Sequence, residues 1–140
     1  MYVKTQNKTT KEEKNIFAFY GLSGNRATTN KQGAELIKII RKKVEQETLI
    51  NNWYFGDYNF VTSTLDRNSK SFNSIDMQCK DEMIELETKM QIVDSFRYKN
   101  NDRRQYSFTS SDQKSKSRID RIYIPIDEIG KIQATTFEST

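Results

Sequence analysis

Apolar and polar residues follow two different periods along this chain. Ile16-Phe17-Ala18-Phe19-Tyr20 is a short continuous apolar run, and so is the stretch Asn52–Phe55, which stops abruptly on Gly56-Asp57-Tyr58-Asn59. Runs of this length bounded by turn-forming residues predict buried strands. Between them, Leu36, Ile37, Ile40 and Val44 form one amphipathic stripe with Lys38, Arg41, Lys42 and Glu45 turned away, which predicts a helix over Lys31–Glu47. A second helix is predicted over Asp76–Met90, where Cys79, Met83, Leu86 and Met90 recur three and four apart. A Met-rich stripe at that spacing is core packing. Ile92-Val93-Asp94 reads as a short turn into Phe96. Tyr106–Thr109 and Arg118–Ile124 are further strands, and Pro125 stops the latter. Residues 1–14 read as a frayed polar tail with strand pairing around Met1-Tyr2-Val3. Gly21 to Asn30 is loop-like and Phe60 to Asn73 irregular. Strand–helix–strand order predicts an α/β or α+β layered fold with a mixed sheet.

Composition narrows the chemistry. The chain has 140 residues, 34% of them hydrophobic, a thin core for one domain. Eight Phe, seven Tyr and one Trp argue against disorder. With no histidine, this chain offers no His base, triad or His zinc site. The single cysteine, Cys79, rules out an internal disulfide and fits a reducing, intracellular compartment. No apolar stretch reaches membrane-spanning length, so no membrane partner is expected. The polar N-terminus does not read as a secretory signal.

Charge is unevenly distributed. The net charge is +4, yet Arg97, Lys99, Arg103, Arg104, Lys114, Lys116, Arg118 and Arg121 fall within one segment interrupted only by Asp102, Asp112 and Asp120. Eight cations less three acids leave that segment at +5. Such an excess is the footprint expected for a polyanion, against the ordinary alternative of a solvated surface.

Asp57 and Asn59 are two apart and project to one side of an extended backbone. Gly56 allows a close backbone approach. A carboxylate beside an amide pairs a proton or cation acceptor with an anion donor, a combination suited to phosphodiester hydrolysis.

Four stretches then fall in a fixed order: Phe19-Tyr20-Gly21; Gly56-Asp57-Tyr58-Asn59 followed by Asp66-Arg67; Tyr106-Ser107-Phe108; and Ser117-Arg118-Ile119-Asp120-Arg121-Ile122-Tyr123. Val93-Asp94-Ser95-Phe96-Arg97 supplies a turn between the second and third. Together they resemble the endonuclease/exonuclease/phosphatase superfamily, the DNase I-like fold. Within it they look most like the exonuclease III and AP-endonuclease-like domain of non-LTR retrotransposons, over roughly Ile16 to Ile124. The resemblance implies part of a four-layer α-β-β-α sandwich, with residues 15–140 as the C-terminal half of the domain and the helices on one sheet face.

It also implies roles. Asp57 would position or deprotonate the attacking water, and Asn59 would hold a phosphate oxygen and support the geometry. Tyr20 would contact the scissile phosphate, and Asp120 would orient a catalytic histidine. Ser107 and Ser117 would contact substrate or brace the site. Arg67 and Arg118 would serve backbone phosphates or structural ion pairs. The implied cofactor is Mg²⁺ and the implied partner is DNA, with nuclear localisation if the protein belongs to a mobile element.

The chain departs from the family pattern in several places. Ser107 stands for threonine, Tyr58 for phenylalanine, and no proline follows Tyr20. The family's N-terminal asparagine and metal-binding glutamate have no room before Ile16, and its closing Ser-Asp-His is missing. Gln46-Glu47-Thr48 matches the glutamate motif in letters but precedes Gly56 on a helix, a coincidence. The complete domain is thus expected to be a Mg²⁺-dependent DNA endonuclease, and this chain alone inactive. Exposed sheet surfaces could drive self-association. The alternatives are a non-catalytic nucleic-acid-binding remnant, with Tyr98, Tyr106 and Phe108 as stacking surfaces, and a phosphatase of the same superfamily. Plainer readings accompany each residue: Asp57 as a turn former, Asp120 as an ion-pair partner of Arg118 or Arg121, Tyr20 as a core aromatic, Arg103 and Arg104 as solvated loop charges.

Overall fold

A computed structural model describes residues 1–21 and 27–136, without the side chains of 27–30. The expected loop at 22–26 and the terminal residues 137–140 lie outside the described residues. The chain runs β1 (Tyr2–Gln6), β2 (Glu13–Tyr20), α1 (Ala27–Gln46), β3 (Asn52–Asp57), α2 (Ser74–Met90), β4 (Ile92–Asp94), α3 (Ser95–Lys99), β5 (Phe108–Thr109), β6 (Lys116–Ser117) and β7 (Asp120–Pro125). Short 3₁₀ turns cover Thr64–Asp66 and Ile126–Lys131.

The expected mixed sheet is present. Its order is β1-β2-β3-β7-β4, with β2 and β3 parallel and the remaining pairs antiparallel. Phe17, Phe19, Tyr54 and Tyr123 alternate onto one face, where α1 and α2 cover them with Ile37, Val44, Cys79, Met83 and Leu86. Burying these apolar side chains is the main driving force for the layer. The opposite face carries Phe55 and its cross-strand partner Ile122, which remain 41% and 48% exposed.

Four expectations need correction. Ile92–Asp94, expected as a turn, is the strand β4, paired antiparallel with β7 from Ile92↔Pro125 to Asp94↔Tyr123. The strand pairing expected around Met1-Tyr2-Val3 is present and runs further than expected, so residues 2–6 are not frayed: β1 pairs with β2 from Tyr2↔Phe17 to Gln6↔Glu13, and the Met1 amino group donates to the Ala18 carbonyl. The weak alternation of Val3 and Thr5 gains its partner from the long apolar run of β2. Tyr106–Thr109 does not join the main sheet. Only Phe108–Thr109 is extended, and it pairs with Lys116–Ser117 as a separate hairpin. The last strand begins at Asp120, because Arg118 and Ile119 are drawn into the interior ahead of it.

Local chemistry sets the helix ends. Asn73 caps α2 in a reciprocal capping box with Asp76. Asp76 is fully buried; it also accepts the Val61 N–H and a two-pronged contact from Arg67. Gln91 ends the helix in the left-handed conformation.

Arg121 is buried on the helix-covered face. Its guanidinium carbon lies 4.5 Å from the Tyr58 ring centroid and 4.6 Å from that of Phe60. Glu87 on α2 is its acidic neighbour; burial pushes the Glu87 carboxyl from 4.5 up to about 7, partly countered by the Arg121 charge. The folded chain therefore holds a proton on Glu87 that the unfolded chain has released between those two values. Stability is expected to fall by up to about 3 kcal/mol as pH rises through that window. Urea titrations at pH 5 and pH 8 check this: Glu87→Gln should remove most of the difference.

Candidate active site

Three of the four expected catalytic residues lie in one row across neighbouring strand ends. Tyr20 ends β2 and is in register with Asp57, which ends β3; Asp57 is in register with Asp120, which opens β7. Laterally paired residues project to the same sheet face. The neighbouring Phe19 and Tyr58 stack against each other beneath it, their ring centroids 4.5 Å apart. Tyr20 is 71% exposed, so it is not a core aromatic.

Two glycines permit this arrangement. Gly56 has φ +143, and a Cβ there would overlap the Phe19 carbonyl oxygen. A Cβ on Gly21 would overlap the carbonyl oxygen of Tyr58. The close approach foreseen at Gly56 is therefore made by the neighbouring strand. The Gly21 N–H donates to the Asp57 carbonyl at 2.6 Å and closes the two strand ends together.

Asn59 completes the corner. It adopts the left-handed conformation at φ 56. Its backbone N–H donates to Asp57 Oδ1 at 2.9 Å, and its carboxamide donates to the Gly21 carbonyl at 2.5 Å. Asp57 is thus a turn former through one oxygen while its carboxyl stays in the row. Burial raises the Asp57 pKa, the Asn59 amide lowers it in part, and the Asp120 charge raises it further. A carboxylate so placed accepts a proton more readily than an ordinary aspartate.

The expected substrate-binding residues fare differently. Arg118 is fully buried. Its fork grips Asp66 at 2.9 and 2.8 Å and Asp94 at 3.1 and 2.6 Å, and its face lies 4.9 Å from the Phe96 ring centroid. Burial alone would lower the guanidinium pKa, but the bonds to Asp66 and Asp94 outweigh it and the value is raised. Arg118 is a structural ion pair: four of its five N–H donors go to the two carboxylates, and its complete burial closes it off from a phosphate. Arg67 is committed to Asp76 at 2.6 Å. Ser117 is buried and takes the Ser107 N–H on its carbonyl. Ser107 braces rather than faces substrate: its hydroxyl accepts the Ile119 and Asp120 N–H groups, each at 3.1 Å.

Ion pairing also reduces the basic segment. Arg97 bonds Asp66, while Arg118 and Arg121 are buried, leaving Lys99, Arg103, Arg104, Lys114 and Lys116 exposed. Asp120 pairs with neither Arg118, which is committed elsewhere, nor Arg121, which points to the other face. Asp66 and Asp94 had no role assigned from sequence, although both stand within the ordered motifs. Their function appears only when Arg118 reaches them across 52 and 24 residues of chain.

The row does not fit a resident Mg²⁺. Among the described residues no group of three or more His, Cys, Asp or Glu could hold a metal ion. Asp57 and Asp120 are the only carboxylates in the row, and one Asp57 oxygen already serves Asn59. Mg²⁺ demands near-octahedral oxygen coordination. Glu47 cannot contribute: it pairs with Lys43 at 2.5 Å and lies before the start of β3, whereas Asp57 lies at its end.

The layered sheet and its covering helices have the DNase I-like fold in part, as three solved structures show. A 3'-5' exonuclease, NExo, from Neisseria meningitidis superimposes with a TM-score of 0.66 at 15% identity, over 86% of this chain and 52% of its own. The catalytic domain of Xenopus laevis APE2 gives 0.67 at 13% identity, over 87% of this chain and 44% of its own. The endonuclease domain of TRAS1, a telomere-specific non-LTR retrotransposon, gives 0.58 at 13% identity, over 92% and 51%. The chain spans about half the length of these structures. No family model matches it, and neither does any curated protein. Among the described residues no helix is long and apolar enough to cross a membrane.

Proposed function

We propose that this chain is the C-terminal half of a phosphodiesterase domain that, when complete, nicks DNA by Mg²⁺-dependent hydrolysis in a retrotransposon-type protein acting in the nucleus. The observation that carries the reading is the register of Tyr20, Asp57 and Asp120 across three adjacent strands. In this reading Asp57 takes a proton from the attacking water, Tyr20 donates its phenol to a phosphate oxygen, and Asn59 fixes the corner. Asp120 would orient a histidine that this chain does not contain. The metal belongs to the complete domain, since the donors here do not form its site. The exposed face around Phe55 and Ile122 is the surface against which the other half would pack, and in the isolated chain it favours self-association.

A second reading, a nucleic-acid-binding remnant without catalysis, is favoured by five exposed basic side chains close in sequence to exposed Tyr98 and Phe108. Both readings predict weak, salt-sensitive DNA binding with little sequence preference. With a few phosphates neutralised, log affinity should fall with log salt at a slope of about −2 to −4. Titrating isotope-labelled chain with a short duplex should shift the signals of Tyr20, Asp57, Asn59 and Asp120 on the first reading. Shifts confined to the β5–β6 hairpin would favour the remnant. No shifts at low salt would remove both.

A further inference from the structure

We propose that the Nε–Nη2 edge of Arg121 is a buried binding site for a small monovalent anion. It lies under the helices, on the other side of the sheet from the row of Tyr20, Asp57 and Asp120, and does not depend on what that row does.

The comparison with two other arginines carries the argument. The side-on edge of a guanidinium presents Nε–H and one Nη–H in parallel, a fork that fits a carboxylate or another small anion. Arg67 gives that edge to Asp76 at 2.6 and 2.9 Å, and Arg118 gives it to Asp66 at 2.9 and 2.8 Å. Arg121 is only 2% exposed, yet its Nε and Nη2 have no partner among the described residues. Its Nη1 donates to Thr62 Oγ1 at 3.3 Å. The Tyr58 and Phe60 rings attract the cation but offer the fork no acceptor in its plane. Tyr58 also carries a buried hydroxyl without a partner. Burying a charge with its donors unmet is strongly unfavourable. Every unmet group on Arg121 is a donor, so the missing component is an acceptor with negative charge.

The surrounding groups do not supply it at low pH. Asp57 closes β3 on the opposite face, and Asp94 on β4 is gripped by Arg118. On α2, burial pushes the Cys79 thiol up to about 11, so it carries no charge. Burial likewise keeps Tyr54, Tyr58 and Tyr123 neutral. Glu87 on α2 remains, and it too is neutral below about 7. Above that value it ionises and counters Arg121 itself. Glu87 also lines a surface groove of about 440 Å³ with Thr88, Gln91, Ile92 and Ile126, the route by which an anion would reach Arg121. A free anion and the Glu87 carboxylate therefore compete for one cation.

The test uses the full chain, labelled with ¹³C and ¹⁵N, at pH 6. Sodium gluconate is replaced stepwise by sodium chloride, and separately by sodium formate, at constant ionic strength. The Arg121 Cζ and Nε signals should shift saturably with both small anions. At pH 8 Glu87 is about nine-tenths ionised, so the chloride midpoint should rise about tenfold. In Glu87→Gln the midpoint at pH 8 should match that at pH 6. A flat or strictly linear response at pH 6 overturns the proposal, and so does a wild-type midpoint that is the same at both pH values. The wild-type titrations decide the matter even if Glu87→Gln does not fold.

Discussion

Replacing Arg118 with methionine should remove about 3–5 kcal/mol of unfolding free energy. The guanidinium is wholly buried between Asp66 and Asp94, with Arg97 closing the network from its half-exposed side. Without Arg118, buried Asp94 loses its guanidinium partner and Asp66 keeps only Arg97. A domain of this size holds roughly 5–15 kcal/mol in total, so the variant should populate the unfolded state visibly. Asp66→Leu combined with Arg118→Met should be milder than the sum of the single changes, because the two no longer strand one another, although Asp94 and Arg97 each still lose a partner. Asp94 is kept, since it also caps α3 by accepting the Phe96 and Arg97 N–H groups. Urea midpoints for the three variants check the whole argument. A change below about 1 kcal/mol in Arg118→Met would mean that the network is solvated and that Arg118 is free to meet a phosphate after all.

The second large effect is expected at Gly56→Ala. At φ +143 an L side chain is strained whatever the space, and here the space is occupied by the backbone of β2. Neither strand can yield alone, because Phe19 is in register with Gly56 and Tyr20 with Asp57. The cost should exceed about 2 kcal/mol. The damage should centre on the row: thermal melts should show the loss of stability, and NMR contacts between the ends of β2 and β3 should disappear. A variant that melts like wild type would refute the close-approach argument.

The legible parts of this fold were those with strong local patterns. The stripe of Leu36, Ile37, Ile40 and Val44 marks α1, though its first turn carries polar residues that hide the start at Ala27. The apolar runs mark β2 and β3, and Pro125 marks the end of β7. Sheet membership was less legible. Tyr106–Thr109 has the composition of a strand, but only pairing decides which sheet it joins, and pairing depends on residues far away. The same division holds in the site. Tyr20, Asp57 and Asp120 could be read from ordered motifs because each sits at a strand end, where register brings distant residues together. Arg118 could not, since an arginine in sequence looks alike whether it meets water, a phosphate or two buried aspartates. The local charge count overstated the basic surface for that reason.

The most direct measurement on the central claim is plasmid nicking by the purified chain. In the proposed reading the Asp57 corner serves the water and the phosphate, but among the described residues no third metal ligand stands near it, and the chain has no histidine for Asp120 to orient. Cooperating groups in such sites lose rate by orders of magnitude when one is missing. Incubated with supercoiled plasmid and Mg²⁺, the chain is predicted to leave the plasmid supercoiled, indistinguishable from its Asp57→Ala variant. Nicking that persists through purification and vanishes in Asp57→Ala would contradict the account and establish the chain as a complete enzyme.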